Sequence, residues 1–138
     1  VRVLILHSGE GKDPSLAQTL QRAFEKEGGR IEVISAAAAG SAPISSAQYD
    51  LVCLISSFSG VFKPKMPQQI DNILKRVTRL EGKKGAAFVP SKLGSAKALR
   101  VLMGLMEKQG VIVDYFATLG SEADSEEAAK RLARSIRP

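Results

Sequence analysis

The chain has no tryptophan, a single cysteine and a single histidine, and aromatic residues make up only 5% of its 138 residues. One cysteine, Cys53, rules out an intramolecular disulfide and a cysteine-based zinc site, and His7 alone cannot build a metal cluster. Cys53 lies inside the apolar run Leu51-Val52-Cys53-Leu54-Ile55, where a thiol reads as core. One buried thiol suits a reducing compartment, so the expected location is the cytoplasm. No run approaches about 18 apolar residues, and no helical membrane span is expected. The first residues show none of the regions of a signal peptide. The start at Val1 in place of Met reads as trimming, or as a domain cut from a longer chain.

Acid is also in short supply. Lys and Arg number 20 against 14 Asp and Glu, a formal net charge of +6. The hydrophobic fraction of 44% and charged fraction of 25% are those of an ordinary globular protein. They exclude disorder, collagen-like structure and a disulfide scaffold. The length suits one domain over residues 1–138. A basic balance raises nucleic-acid binding as a possibility, but no recognised motif or basic stripe interleaved with aromatics supports it.

Apolar runs and helix-period segments alternate along the chain. Arg2 to Leu6 reads as a buried strand. Leu16, Ala17, Leu20, Ala23 and Phe24 then mark a helix face, with Asp13 as N-cap, Pro14 as first helical residue and Gly28-Gly29 as the stop. Arg30 to Ser35 is the second strand, and the small-residue stretch Ala36 to Ser46 reads as loop. Asp50 to Ser56, the most hydrophobic run, is the third and central strand. Ile70, Ile73, Leu74 and Val77 form the next helical stripe. Lys84 to Pro90 is the fourth strand, Ser95 to Gln109 a helix, Val111 to Leu119 the fifth strand and Ser121 to Arg137 the last helix. Ser121 and Asp124 stand in capping-box spacing. Five strands alternating with helices, with a very short or missing helix between strands two and three, mean an α/β fold, a parallel sheet covered on both faces.

In such sheets ligands bind beyond the carboxyl ends of the strands, at the switch in strand order. For the order 2-1-3-4-5 the candidate loops are His7 to Ser15, Ser57 to Pro67 and Pro90 to Ser95. The first is glycine-rich and leads into a helix N-terminus, a generic anion site. Its spacing excludes the common alternatives. A Walker A loop would need Gly at Leu6 and Ser or Thr at Asp13, and a dinucleotide fingerprint would need Gly at Pro14. A receiver domain would need a phosphoacceptor Asp after strand three, whereas Asp50 precedes it. Ser8-Gly-Glu-Gly11 lacks the glycine that precedes the serine in a nucleophile elbow. His7 follows a strand end but has no visible Ser or Asp partner set. A hydrolase or transferase acting through His7 remains a third reading.

The run Leu4-Ile-Leu-His-Ser8-Gly-Glu-Gly11-Lys-Asp13, with Ala17 and Leu20, resembles the phosphate-loop signature of flavodoxins. Ser8, Gly11, Ala17 and Leu20 fall in register, while Leu6 replaces an aromatic and Asp13 a threonine. The segment Met66 to Leu74 is similar to the helix after strand three in flavodoxin-like reductases. The resemblance implies a flavodoxin-like three-layer sandwich that holds FMN without a covalent bond, for electron transfer or flavin-dependent reduction. It implies a phosphate site of Ser8, Gly9, Glu10, Gly11, Lys12, Asp13 and Ser15. Flanking the flavin ring would be Ser57, Phe58, Ser59, Gly60 and Phe62 from the second loop and Ser91, Lys92, Leu93 and Gly94 from the third. Lys63, Lys65 and Lys92 fall on this rim with Lys12. Carrier flavodoxins are typically acidic, so a charge of +6 points to a reductase-like or degenerate member with an acidic redox partner protein. The alternative is a flavodoxin-like domain without flavin, acting as a binding or interaction module. Asp13, the missing Trp and the glycine-poor third loop favour it.

Overall fold

The structure, a computed structural model, describes residues 1–38, 40 and 42–136. Its elements in order are β1 (Arg2–His7), α1 (Asp13–Lys26), β2 (Arg30–Ser35), β3 (Ile44–Ser45), β4 (Leu51–Ile55), α2 (Gln68–Arg76), β5 (Val77–Thr78), β6 (Lys84–Pro90), α3 (Ser95–Lys108), β7 (Ile112–Leu119) and α4 (Glu122–Ile136). The main sheet has the order β2-β1-β4-β6-β7, and every neighbouring pair is parallel. This is the five-stranded 2-1-3-4-5 order expected from the sequence.

The apolar runs explain which strands are central. β1 and β4 are covered on both faces, and each reads as a near-continuous aliphatic stretch, as buried parallel strands do. Alternate residues divide cleanly between two cores. Leu4, Leu6, Val52, Leu54, Ala87 and Val89 face α2 and α3. Val3, Ile5, Leu51, Cys53, Ile55, Ala86 and Phe88 face α1 and α4. Cys53 is fully buried, and burial pushes its thiol pKa far up, so it is an inert core residue.

Two local expectations are corrected. The stretch 36–46 is not all loop, and Val77 is not helical. α2 stops at Arg76, Val77 takes extended backbone (φ −79°, ψ 124°), and Val77–Thr78 pairs in parallel with Ile44–Ser45. Val77 and Thr78 are both β-branched and fit an extended ribbon better than a last helical turn. The Ser46 hydroxyl fixes the register by donating to the Thr78 carbonyl (2.7 Å). Val77 still reaches the same core as Ile70, Ile73 and Leu74, which is why the stripe looked continuous. At α4 the carboxylate of Asp124 accepts the backbone N–H groups of Gly120 (2.8 Å) and Ser121 (3.0 Å), the reach-back half of a capping box. Arg137, expected to end that helix, lies outside the described residues.

Candidate functional site

The chain passes from β1 to β2 on one side and then crosses to β4 on the other. The loops after β1 and β4 therefore diverge at their carboxyl ends, the switch point of the sheet. The loop after β6 lies beside them. These are the three loops singled out from the sequence, and the structure brings them together.

The first loop is closed by its own groups. His7 ends β1, and its Nδ1 accepts the N–H of Gly9 (3.0 Å), which leaves the neutral ring's proton on Nε2. The Ser8 Oγ accepts the N–H of Glu10 (3.0 Å). The Glu10 carbonyl accepts the N–H of Asp13 (3.0 Å), and Pro14 has no N–H to offer. Glu10 itself leans away and accepts from the Gln69 amide of α2 (2.7 Å).

Asp13 is not the helix cap that its position before Pro14 suggested. It is the first residue of α1; the cap position is Lys12, and no side chain caps the helix. The Asp13 carboxylate instead turns beneath the loop and is 0% exposed. Its Oδ2 accepts the hydroxyl of Ser8 and the backbone N–H of Ser57 (2.6 Å), stitching the first loop to the second. Its Oδ1 is buried with no hydrogen-bond partner. Two strong donors thus converge on one carboxylate oxygen, and they outcompete the generic preference for capping.

Burial lowers the pKa of His7, and the charge of nearby Asp13 opposes this only in part. The folded chain therefore binds a proton at His7 less readily than the unfolded chain does. Stability is expected to fall as pH drops through about 6.5 and to rise with pH across that range. Urea unfolding midpoints measured on either side of that pH should show this slope, and His7→Gln should flatten it. An equal slope in the variant would assign the effect elsewhere.

The second loop is a small hairpin. Ser59 and Lys65 exchange backbone hydrogen bonds (3.1 and 2.8 Å) and carry Val61-Phe62-Lys63 between them. Gly60 makes the bend at φ +92°, where a Cβ would lie 2.9 Å from the Lys63 carbonyl oxygen. The two phenylalanines separate: Phe58 is 5% exposed and belongs to the core, whereas Phe62 is 83% exposed at the tip.

The third loop packs directly on the second. The Lys92 ammonium donates to the Phe58 carbonyl (2.9 Å) and lies 4.5 Å from the centre of the Phe58 ring. Gly94, at φ +92°, is the cap residue of α3, and a Cβ there would lie 3.1 Å from the Val61 Cα and 3.3 Å from the Gly60 carbonyl. Ser95 holds the turn by accepting the Lys92 N–H (2.8 Å). Ser91 and Leu93 are exposed, Leu93 at 77%. Ser15 points outward from the first turn of α1. Beside the hairpin, an open notch of about 300 Å³ lies between Glu10, Ser59, Lys65 and Gln69.

A larger open hollow of about 580 Å³ lies near the amino ends of β4 and β6, away from these loops. Two of its charged groups serve the fold: Lys83 donates to the Tyr49 carbonyl (2.6 Å), and Asp50 accepts the Arg2 N–H (2.8 Å). Among the described residues no group of three or more His, Cys, Asp or Glu is arranged to hold a metal, and no helix is long and apolar enough to cross a membrane. The sequence reading missed the link from Asp13 to Ser57, because it joins residues 44 positions apart. The only signal was the oddity of an acid in a loop otherwise suited to an anion.

No protein-family model matches the chain, and no curated protein matches it. Solved structures do. The oxidised flavodoxin 1 of Bacillus cereus superposes with a TM-score of 0.71 at 19% identity, over 99% of this chain and 97% of that one. The two-electron reduced flavodoxin of Megasphaera elsdenii gives 0.68 at 17% identity, over 93% and 98%. The rubredoxin oxygen:oxidoreductase of Desulfovibrio gigas gives 0.68 at 16% identity, over 98% of this chain but 36% of that longer one. Near-complete coverage in both directions, with the same strand order, gives the conclusion that this chain has the flavodoxin-like fold.

Proposed function

We propose that residues 1–138 form one flavodoxin-like domain that works in the cytoplasm without a resident flavin, as a binding or interaction module. The observation that carries this reading is the buried carboxylate of Asp13, which already occupies the anion-binding donors of Ser8 and Ser57. A phosphate placed on this loop would meet a fixed negative charge and find both donors engaged. The residues carried over for FMN do not fit it as they stand. Of the amides in the first loop, those of Gly9, Glu10 and Asp13 are satisfied internally. The second and third loops, expected to flank the flavin ring, touch each other through Gly94, Val61, Lys92 and Phe58.

The second reading is an FMN protein for electron transfer or flavin-dependent reduction, possessing the chemistry of its cofactor. It is favoured by the backbone of the first loop, where Gly9 (φ +83°) and Gly11 (φ +54°) keep a curled form, and by the likeness of the fold to that of flavodoxins. It requires Lys92 to leave Phe58 and the two loops to part. Titrating the purified protein with FMN separates the readings. The expected result is colourless protein with no saturable quenching of FMN fluorescence up to high micromolar concentration. Saturable quenching, or a yellow preparation that releases FMN on denaturation, would restore the second reading.

A further inference from the structure

The net charge of the chain is not spread over its surface. Residues 57 to 67 and 91 to 100 hold Lys63, Lys65, Lys92, Lys97 and Arg100 and no acid at all, so five of the 20 bases and none of the 14 acids lie there. The rest of the chain, with 15 bases against 14 acids, is nearly neutral. All five basic residues are exposed.

The same two segments carry exposed apolar side chains. Phe62 and Leu93, at 83% and 77%, are the most exposed of the large hydrophobic residues, and Val61 adds a third exposed side chain. The two segments meet, because Gly94 seats the third loop against Val61 and the Lys97 ammonium lies 5.8 Å from the Phe62 ring. The surface is also preorganised: the hairpin bonds between Ser59 and Lys65 hold Phe62 at the tip without help from a partner, which reduces the ordering cost of binding. An aromatic anchor with an apolar surround and a charged rim is the anatomy of a protein interface.

We propose that this hairpin and third-loop surface is a docking site for an acidic protein surface, with Phe62 and Leu93 as anchors and Lys63, Lys65, Lys97 and Arg100 as the complementary rim. The proposal names the partner chemistry of the binding-module reading and rests on it. Nucleic acid is disfavoured because phosphates are neutralised along a basic track, whereas here the cations share their two segments with the exposed apolar side chains of Val61, Phe62 and Leu93. A bilayer is disfavoured by the adjoining notch between Glu10, Ser59, Lys65 and Gln69, a concavity that a protein side chain fills and a lipid surface leaves open.

The test is an amide NMR titration of the labelled full chain at low salt. The probe is a short synthetic peptide alternating Glu or Asp with Leu. Comparison probes are the same peptide with Lys for its acids, a single-stranded oligouridylate, and vesicles of phosphatidylcholine with phosphatidylserine. The acidic peptide should perturb residues 59 to 65 and 91 to 100. Lys63→Glu with Lys97→Glu should weaken it at least about tenfold, and Phe62→Ser with Leu93→Ser should weaken it severalfold. Lys130→Glu, on α4, should leave it unchanged. All these side chains are exposed, and amide dispersion in the same spectra reports retention of the fold. Absence of peptide binding, perturbations centred elsewhere, equal weakening by Lys130→Glu, or tighter binding of oligouridylate or vesicles would each overturn the proposal. FMN binding would sink the flavin-free reading alone, since the peptide titration is run without FMN and reads residues 59 to 65 and 91 to 100 as they stand.

Discussion

Replacing Asp13 with threonine is expected to raise the affinity of the first loop for inorganic phosphate by about a hundredfold. The substitution removes a buried negative charge from the N-terminal end of α1, where partial positive charge and unpaired amides favour an anion. It also releases the Ser8 hydroxyl and the Ser57 N–H, the two donors now held by Oδ2. Like charges about 5 Å apart repel by about 3 kcal/mol at an effective dielectric of 20, and about 1.4 kcal/mol is a factor of ten in affinity. Phosphorus NMR or calorimetry with inorganic phosphate reads the gain without requiring the ring slot to open. FMN quenching should follow strongly only when Lys92→Ala is added, because Lys92 ties the third loop to Phe58. Asp13→Asn is the second variant if threonine unfolds the loop, since it keeps an acceptor for Ser57 while removing the charge. Unchanged phosphate affinity in both folded variants would mean that the carboxylate is not what closes this loop to anions.

The strand order was legible because β1 and β4 bury both faces and announce themselves as aliphatic runs, and because helices separate successive strands everywhere except between β2 and β4, where only the short strand β3 intervenes. The short ribbon of Ile44–Ser45 and Val77–Thr78 was not legible. Two residues give no periodicity, and Val77 satisfies the helical stripe and the extended pairing equally well. The three loops of the candidate site were found because their place follows from topology. Their internal chemistry was not. Asp before Pro is a strong local signal for a cap, yet a long-range contact with Ser57 won, and only the folded chain brings that amide within 2.6 Å. Phe58 and Phe62, four residues apart in one loop, looked interchangeable until the Ser59–Lys65 hairpin sent one inward and the other out. The basic excess was visible in composition, but its gathering on one face needed the second and third loops to be placed side by side.

Phe88→Ala is expected to cost about 3–5 kcal/mol of folding free energy, at the upper end of large-to-small core substitutions. Phe88 is fully buried in β6, and its ring lies 6.0 Å from that of Tyr115. Five alanines, Ala17, Ala23, Ala86, Ala128 and Ala129, belong to the same core cluster. Alanines have no rotamers with which to reach into a void, so the cavity stays open and the cost includes lost packing as well as lost hydrophobic transfer. A domain of this kind is stable by roughly 5–15 kcal/mol, so the variant loses a large share of its margin. Urea unfolding should show a much lower midpoint with an unchanged slope, the mark of a stability change between similar end states. Phe88 also sits beneath the site: its carbonyl accepts the Ser56 N–H (3.1 Å) at the start of the second loop. That bond is made by backbone and survives the truncation. The folded fraction of the variant should therefore retain the docking surface, and binding of the acidic peptide at low temperature should match that of the parent chain. A loss of less than about 1 kcal/mol, outside the range for a buried aromatic, would mean that the core cluster collapses around the gap after all.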